Sequence, residues 1–241
     1  LLIVLVFAGA EGFVNKIMHN AGKNSPIVIP DFSLYSFPYV WHNLAYLAGF
    51  FKIFPALIII IFVTNEFSYK TIRQNVMAGL SRNEFLLSKV IFVLLFSLAS
   101  ALVLFLSAFF LGMTHTNQIT SALIFQKMYF VPAYFLELFT FSLFAMMIAF
   151  LVKKQGLSIG VLALYFYVIE PLAAYKMPDD ISKYLPVKTI GRLIDIPNSS
   201  LMKLFGVNFR EYVATTDVVL CLVYALLFVF VVKWVLQKSD I

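Results

Sequence analysis

Charge is scarce in this chain. Asp, Glu, Lys and Arg make up 12% of its 241 residues, about half the ~25% of an ordinary soluble domain. A soluble fold of this size could not cover its surface with so few charges. Cysteine is nearly absent, and the lone Cys221 sits in an apolar run, which excludes an internal disulfide and a thiolate metal site. There is no Gly-rich loop ending in Gly-Lys-Ser/Thr to cradle the phosphates of ATP. His-Glu-x-x-His and Gly-x-Ser-x-Gly are missing too. His19, His42 and His115 stand far apart in the chain. No catalytic residue, metal ligand or cofactor site is therefore assigned to this chain, and it is not expected to be an enzyme.

What is present is apolar. Such residues make up 62% of the chain, and the mean hydropathy is +0.93. The net charge is +6, with basic residues gathered between apolar runs. That is the pattern of a membrane protein's loops rather than of a nucleic-acid surface, which needs a basic stripe with exposed stacking aromatics. The many Phe and Tyr residues fall mostly inside the runs, where they read as packing groups and interface anchors. The chain opens on Leu1-Leu2 in mid-run, without the basic start and cleavage site of a signal peptide. We expect a span whose beginning precedes Leu1.

A span needs about 20 mainly apolar residues. Six candidates follow: 1–14 (shortened), 42–64, 88–112, 129–152, 157–175 and 216–236. The expected fold is all-α, a single six-span domain over 1–241. The third span has no charge from Val90 to Phe110, and it carries Ser97, Ser100, Ala101, Ser107 and Ala108, small residues that let helices approach closely in lipid. The uncharged stretch of the fifth ends at Glu170-Pro171, where Pro disfavours helix at the residue before it. Gly156 and Gly160 open that span as a Gly-x-x-x-Gly, a pattern that permits close helix contact.

Six spans put both termini on one side. Lys70, Arg73, Arg82, Lys89, Lys153, Lys154, Lys233 and Lys238 fall in the short loops and tail of that side. The opposite loops are more than twice as long at a similar count. By the positive-inside rule the short, densely basic loops are cytoplasmic.

The richest stretch is Asn65 to Lys89. From Phe67 to Ala78, apolar Tyr69, Ile72, Val76 and Met77 recur at helical spacing, with Lys70, Arg73, Gln74 and Asn75 on the other side. Gly79 is a helix stop, and Ser81 with Glu84 is a capping box that starts a new helix. The reading is helix, tight turn, helix. A solvated connector would need neither stop nor cap.

The spacing of Glu66, Thr71, Ser81, Arg82 and Lys89 resembles that of the membrane subunits of type 2 ABC exporters. There the second and third spans are joined by a cytoplasmic segment patterned as Glu, Gly-Thr, Pro-Ser-Arg and Lys. The chain departs from that pattern at Lys70, where Gly is common, and at Gly79, where Pro is common. The resemblance implies a permease in a bacterial cell membrane, with both termini cytoplasmic. It implies a coupling helix that docks on a separate ATP-binding cassette ATPase through Glu66, Tyr69, Lys70, Thr71, Arg73, Gln74, Asn75, Met77, Gly79, Ser81 and Arg82. ATP and magnesium would be held by that partner. It also implies a second permease copy, the same or a paralogue, packed through the first and fifth spans, where Gly156 and Gly160 lie. The alternative is a channel or scaffold subunit without an ATPase. Glu66 is expected in the first turn of its helix, where the dipole favours a carboxylate. Arg82 is expected to bond a carboxylate, either Glu66 or one on the partner.

Four ionisable residues sit in or near apolar runs: Glu11, Lys52, Glu137 and Glu170. Charges there are costly and raise a functional question. Lys52 lies about 18 Å along a straight helix from Thr64, in the outer half of the bilayer. Either its stem snorkels outward, or it pairs with Glu137 or Glu170. Glu11 marks the outer end of the first span. Between the last two spans, Val187, Ile190, Leu193 and Ile194, then Leu201, Leu204, Phe205 and Tyr212, recur at helical spacing. Lys188, Arg192, Lys203 and Arg210 are interspersed, which gives 176–215 the look of helices lying at the outer lipid interface, as the resemblance also implies.

Overall fold

In the computed structural model, residues 35–197 and 210–238 are described. Glu11, the first expected span and the expected helix around Leu201–Phe205 lie outside them. The described residues are helical, with no strand among them. In chain order the helices are α1 (Tyr39–Phe50), α2 (Ile53–Ser68), α3 (Thr71–Met77), α4 (Arg82–His115), α5 (Ser121–Phe125) and α6 (Phe130–Val152). Then come α7 (Gln155–Leu164), a π-turn (Tyr165–Ile169), α8 (Glu170–Lys176), α9 (Asp179–Ser182), α10 (Pro186–Gly191) and α11 (Thr215–Lys238). Four stretches are long and apolar enough to cross a membrane: Arg82–His115, Ser121–Val152, Gln155–Lys176 and Thr215–Lys238. Counting α1 and α2 as one bent span gives five. Such helices mark a membrane protein.

The second expected span is broken. Pro55 has no N–H to give to the Phe51 carbonyl, and its ring crowds that oxygen. The chain turns at Phe51-Lys52 through short-range bonds, Lys52 N–H to Gly49 O (3.3 Å) and Phe54 N–H to Phe51 O (3.0 Å). The fifth span passes through Pro171 by a different device. Immediately before it the helix widens, and Glu170 N–H bonds Tyr165 O, five residues back. The wide turn lets the chain remain helical through Pro171, and the stretch runs on to Lys176. In α4 the small residues divide. Ser97, Ala101 and Ala108 are buried in one stripe with Val93 and Leu104. Ser100 and Ser107 flank it and bond their own helix at Phe96 O (2.9 Å) and Val103 O (2.8 Å).

Two compact units are distinguished. The first comprises residues 35–48, 101–134, 194–197 and 210–213. Trp41 is its anchor: fully buried, it stacks on Phe105 at 5.4 Å and gives its indole N–H to Ile124 O at 2.7 Å. His42 stacks on Phe130 at 3.9 Å, and its Nε2 donates to Asp195 O at 2.8 Å, since a carbonyl can only accept. Lys127 pairs with Glu211 at 2.7 Å, its ammonium 4.4 Å from the centre of the Tyr39 ring.

In the second unit (residues 49–100, 135–193 and 214–238) the apolar stripes converge on α6. Of the four apolar stretches, 72% of the one containing α6 is buried against 17–22% of the others, so α6 is the post and the rest present one stripe each. α2 offers Ala56, Ile59, Ile60 and Val63, and α11 offers Cys221, Ala225, Phe228, Val232 and Leu236. Phe144 touches both Tyr165 (5.2 Å) and Phe228 (5.2 Å), and Phe150 meets Phe67 and Phe85 edge-on.

Close packing leaves one glycine no substitute. A Cβ on Gly112 would lie 2.4–2.7 Å from the buried Phe37 ring. Gly112→Ala is expected to destabilise the protein by about 1–3 kcal/mol through overpacking, measurable as a lowered thermal-unfolding midpoint in detergent.

Candidate functional site

The segment between α2 and α4 is folded residue by residue. α2 closes with Tyr69 N–H on Asn65 O (2.9 Å) and Lys70 N–H on Phe67 O (3.3 Å). The chain then turns at Lys70, whose φ is +57°, in the left-handed region that disfavours side chains. The single helix expected over Phe67–Ala78 is therefore two pieces, the end of α2 and the short α3. Gly79, at φ +97°, ends α3 as expected, because only glycine enters that region freely. Ser81 and Glu84 make the expected box: Ser81 N–H and Oγ–H reach Glu84 Oε2 at 2.8 and 2.7 Å, and Glu84 N–H reaches Ser81 Oγ at 3.2 Å.

Two clasps hold this segment. Glu66 lies in the last turn of α2, not the first turn of a new helix as expected, and the dipole there opposes a carboxylate. Lys89 offsets this by pairing with Glu66. The Thr71 hydroxyl bonds both the Glu66 carboxylate and its carbonyl oxygen, each at 3.3 Å. The Lys89 ammonium also lies 4.2 Å from the centre of the Phe62 ring and 5.0 Å from that of Phe85. Glu66, Thr71 five residues on and Lys89 from the next long helix are thus one cluster. Arg82 does not join it. Its Nη1 donates to Leu236 O and Gln237 O, each at 2.9 Å, the last carbonyls of α11, where a cation suits the negative helix end.

Between the clasps α3 is partly inserted. Ile72 is 2% exposed, whereas Tyr69 is 73% and Met77 80% exposed. Lys70, Gln74 and Gly79 are exposed as well. The side chains of Arg73 and Asn75 lie outside those described.

The intramembrane charges resolve into partners. Lys52 Nζ meets Glu137 Oε1 at 2.7 Å, and both side chains are buried, so it pairs rather than snorkels. Glu170 does not join that pair. Its carboxylate accepts Val187 N–H (3.0 Å) and Lys188 N–H (2.5 Å), the free donors of the first turn of α10. Asp217 and Arg192, which the sequence did not single out, pair at 3.7 Å. Nor did it single out Gly49, whose missing Cβ would sit 3.3 Å from both Glu137 oxygens; a glycine three residues before a buried lysine was the one available signal. Gly156 and Gly160 face open space, with no described neighbour within 4 Å of a Cβ at either. No group of three or more His, Cys, Asp or Glu among the described residues could hold a metal.

These features define a polytopic helical membrane protein with a capped, two-clasp segment between α2 and α4. Residues 17–241 match the family model described as "Protein of unknown function (DUF2705)", and the chain belongs to that family. No curated protein matches it.

Replacing Lys89 with Met keeps its apolar stem but strands Glu66. A loss of about 1–3 kcal/mol is expected, read as a lower unfolding midpoint, with Lys89→Arg, which keeps the charge but must fit a larger group, recovering only part of it.

Proposed function

We propose that the chain is the membrane subunit of an ABC exporter, working as a dimer with a separate ATPase and moving its cargo by alternating packings of six spans, the first near 1–14. The observation that carries this is α3. It is short and lies between the two clasps, and Met77 at its end and Tyr69 at the turn before it are exposed. Exposed apolar groups on a held segment mark an interaction surface. The left-handed turn at Lys70 falls where the exporter pattern has glycine, so the pattern and the backbone make the same demand at that position. In this reading α3 is the coupling helix and the side that bears it is cytoplasmic. ATP closes the ATPase pair, α3 moves with it, and the clasps at Glu66–Lys89 and Arg82–Leu236 carry the displacement into α2, α4 and α11. A ligand drives such a change only through unequal affinity for the two states, and ATP supplies that on the partner.

The test is affinity capture of the full chain from its native membrane. An ATP-binding cassette ATPase should co-purify. Tyr69→Ala combined with Met77→Asp should reduce its recovery at least about tenfold while leaving the unfolding midpoint unchanged, because neither side chain is buried. An unchanged recovery would leave a channel or scaffold as the better reading.

The exposed Gly156 and Gly160 suit a second permease copy. With Cys221 replaced, single cysteines at Leu157 and Val161 should form inter-subunit disulfides in native membranes. Their failure, beside a control pair that crosslinks, would remove this face from the dimer.

A further inference from the structure

We propose that Glu137 is a proton-binding site inside the helix bundle, and that its ionised form latches Lys52 to α6. The inference rests on the geometry of the pair and holds whether or not an ATPase partner exists.

Only one carboxylate oxygen is used. Oε1 takes the Lys52 ammonium at 2.7 Å, while Oε2 is buried with no hydrogen-bond partner among the described residues. Thr140, three residues on and on the same side of α6, is also buried, with its hydroxyl oxygen unpartnered. Lys52 is as confined as its partner. It is 8% exposed, and its remaining neighbours are aromatic faces, with Phe141 and Phe166 ring centres at 5.6 and 5.9 Å. The surroundings are shaped for the pair. Gly49 leaves the room that Glu137 occupies, and a Cβ on Gly191 would lie 3.9 Å from Lys52 Nζ. From the other packed elements, Cys221 of α11 lies within electrostatic reach of both Glu137 and Lys52, and Asp217 within reach of Cys221. Asp217 is held by Arg192, and Glu170 is engaged by the backbone of α10.

Lys52 is also the residue at which the Pro55 break reorganises the helix, so the pair fixes a point where the backbone is already discontinuous. When a hydronium ion gives its proton to the free oxygen, water leaves, Glu137 becomes neutral and Lys52 keeps its charge. A lone ammonium among Phe141, Phe166 and aliphatic helices is not tolerated. Its flexible stem takes it towards the headgroups, and α2 loses its tie to α6. The latch is closed when Glu137 is ionised and open when it is protonated, so falling pH opens it.

The experiment uses the full chain in nanodiscs of phosphatidylcholine and phosphatidylglycerol. Infrared difference spectra between about pH 8 and about pH 5, a window above the ordinary carboxylate range, should show a carboxylic-acid C=O stretch. That band should be missing from the double variant Lys52→Met with Glu137→Met, whose apolar pair replaces a buried ion pair without unfolding it. The buried Cys221 reports the opening through its rate of labelling by N-ethylmaleimide. Taken as a ratio to the double variant at each pH, which cancels the thiol's own chemistry, the wild-type rate should rise at least about tenfold at the lower pH. Glu137→Gln should show the high ratio already at the higher pH. Identical spectra in wild type and double variant overturn the proton site. A labelling ratio that stays flat with pH overturns the latch.

Discussion

A polar group among apolar helices has no water to fall back on, so it must find its partner within the protein. That constraint decides where this chain can bend. The turn before α10 leaves two N–H groups free, and Glu170 reaches them. The end of α11 leaves carbonyls free, and Arg82 reaches those. The break ahead of Pro55 coincides with a buried lysine, which Glu137 neutralises. At these three places in the second unit a charged side chain answers an irregularity of the backbone.

Those charges are not interchangeable. Arg82 serves two carbonyls with one nitrogen of its fork, while Lys89 serves one carboxylate and lies over two rings. A lysine at 82 would reach the carbonyls as a point charge without the planar fork. An arginine at 89 would have to fit a larger group between Phe62 and Phe85. The pattern Glu66, Thr71, Ser81, Arg82, Lys89 is therefore better seen as two separate local contracts than as a single motif, one fastening α2 to α4 and one fastening α4 to α11.

How much of this could be read from residues alone follows from which signals survive in an apolar helix. The four long apolar helices were legible because length and lack of charge suffice to mark them. The Ser81–Glu84 box and the Gly79 stop were legible because caps are local. The turn at Lys70 was not: lysine is a good helix former, and nothing in its neighbourhood announces a positive φ. The break at Phe51-Lys52 was hidden because Pro55 acts on the carbonyl four residues before it, inside a run with no polar face to lose its rhythm. Partners such as Arg82 and Leu236 O are separated by most of the chain, and a main-chain oxygen leaves no trace in sequence. For Lys52 the sequence offered two carboxylates, and burial chose between them through Gly49.

The wide turn at Tyr165–Ile169 acts like a gear with one extra tooth. In an unbroken α-helix, the residue two turns beyond the buried Leu162 is Ile169. Here Ile169 is 45% exposed and Glu170 is 3% exposed, because the inserted residue advances the inward face by one position. Hydrocarbon and carboxylate have in effect traded places across a single peptide unit. Wound as plain α-helix, the same residues would swing Ile169 inward and turn Glu170 outward, leaving α10 without its anchor. The side of the span that faces its neighbours is thus set by a count of residues as much as by their chemistry.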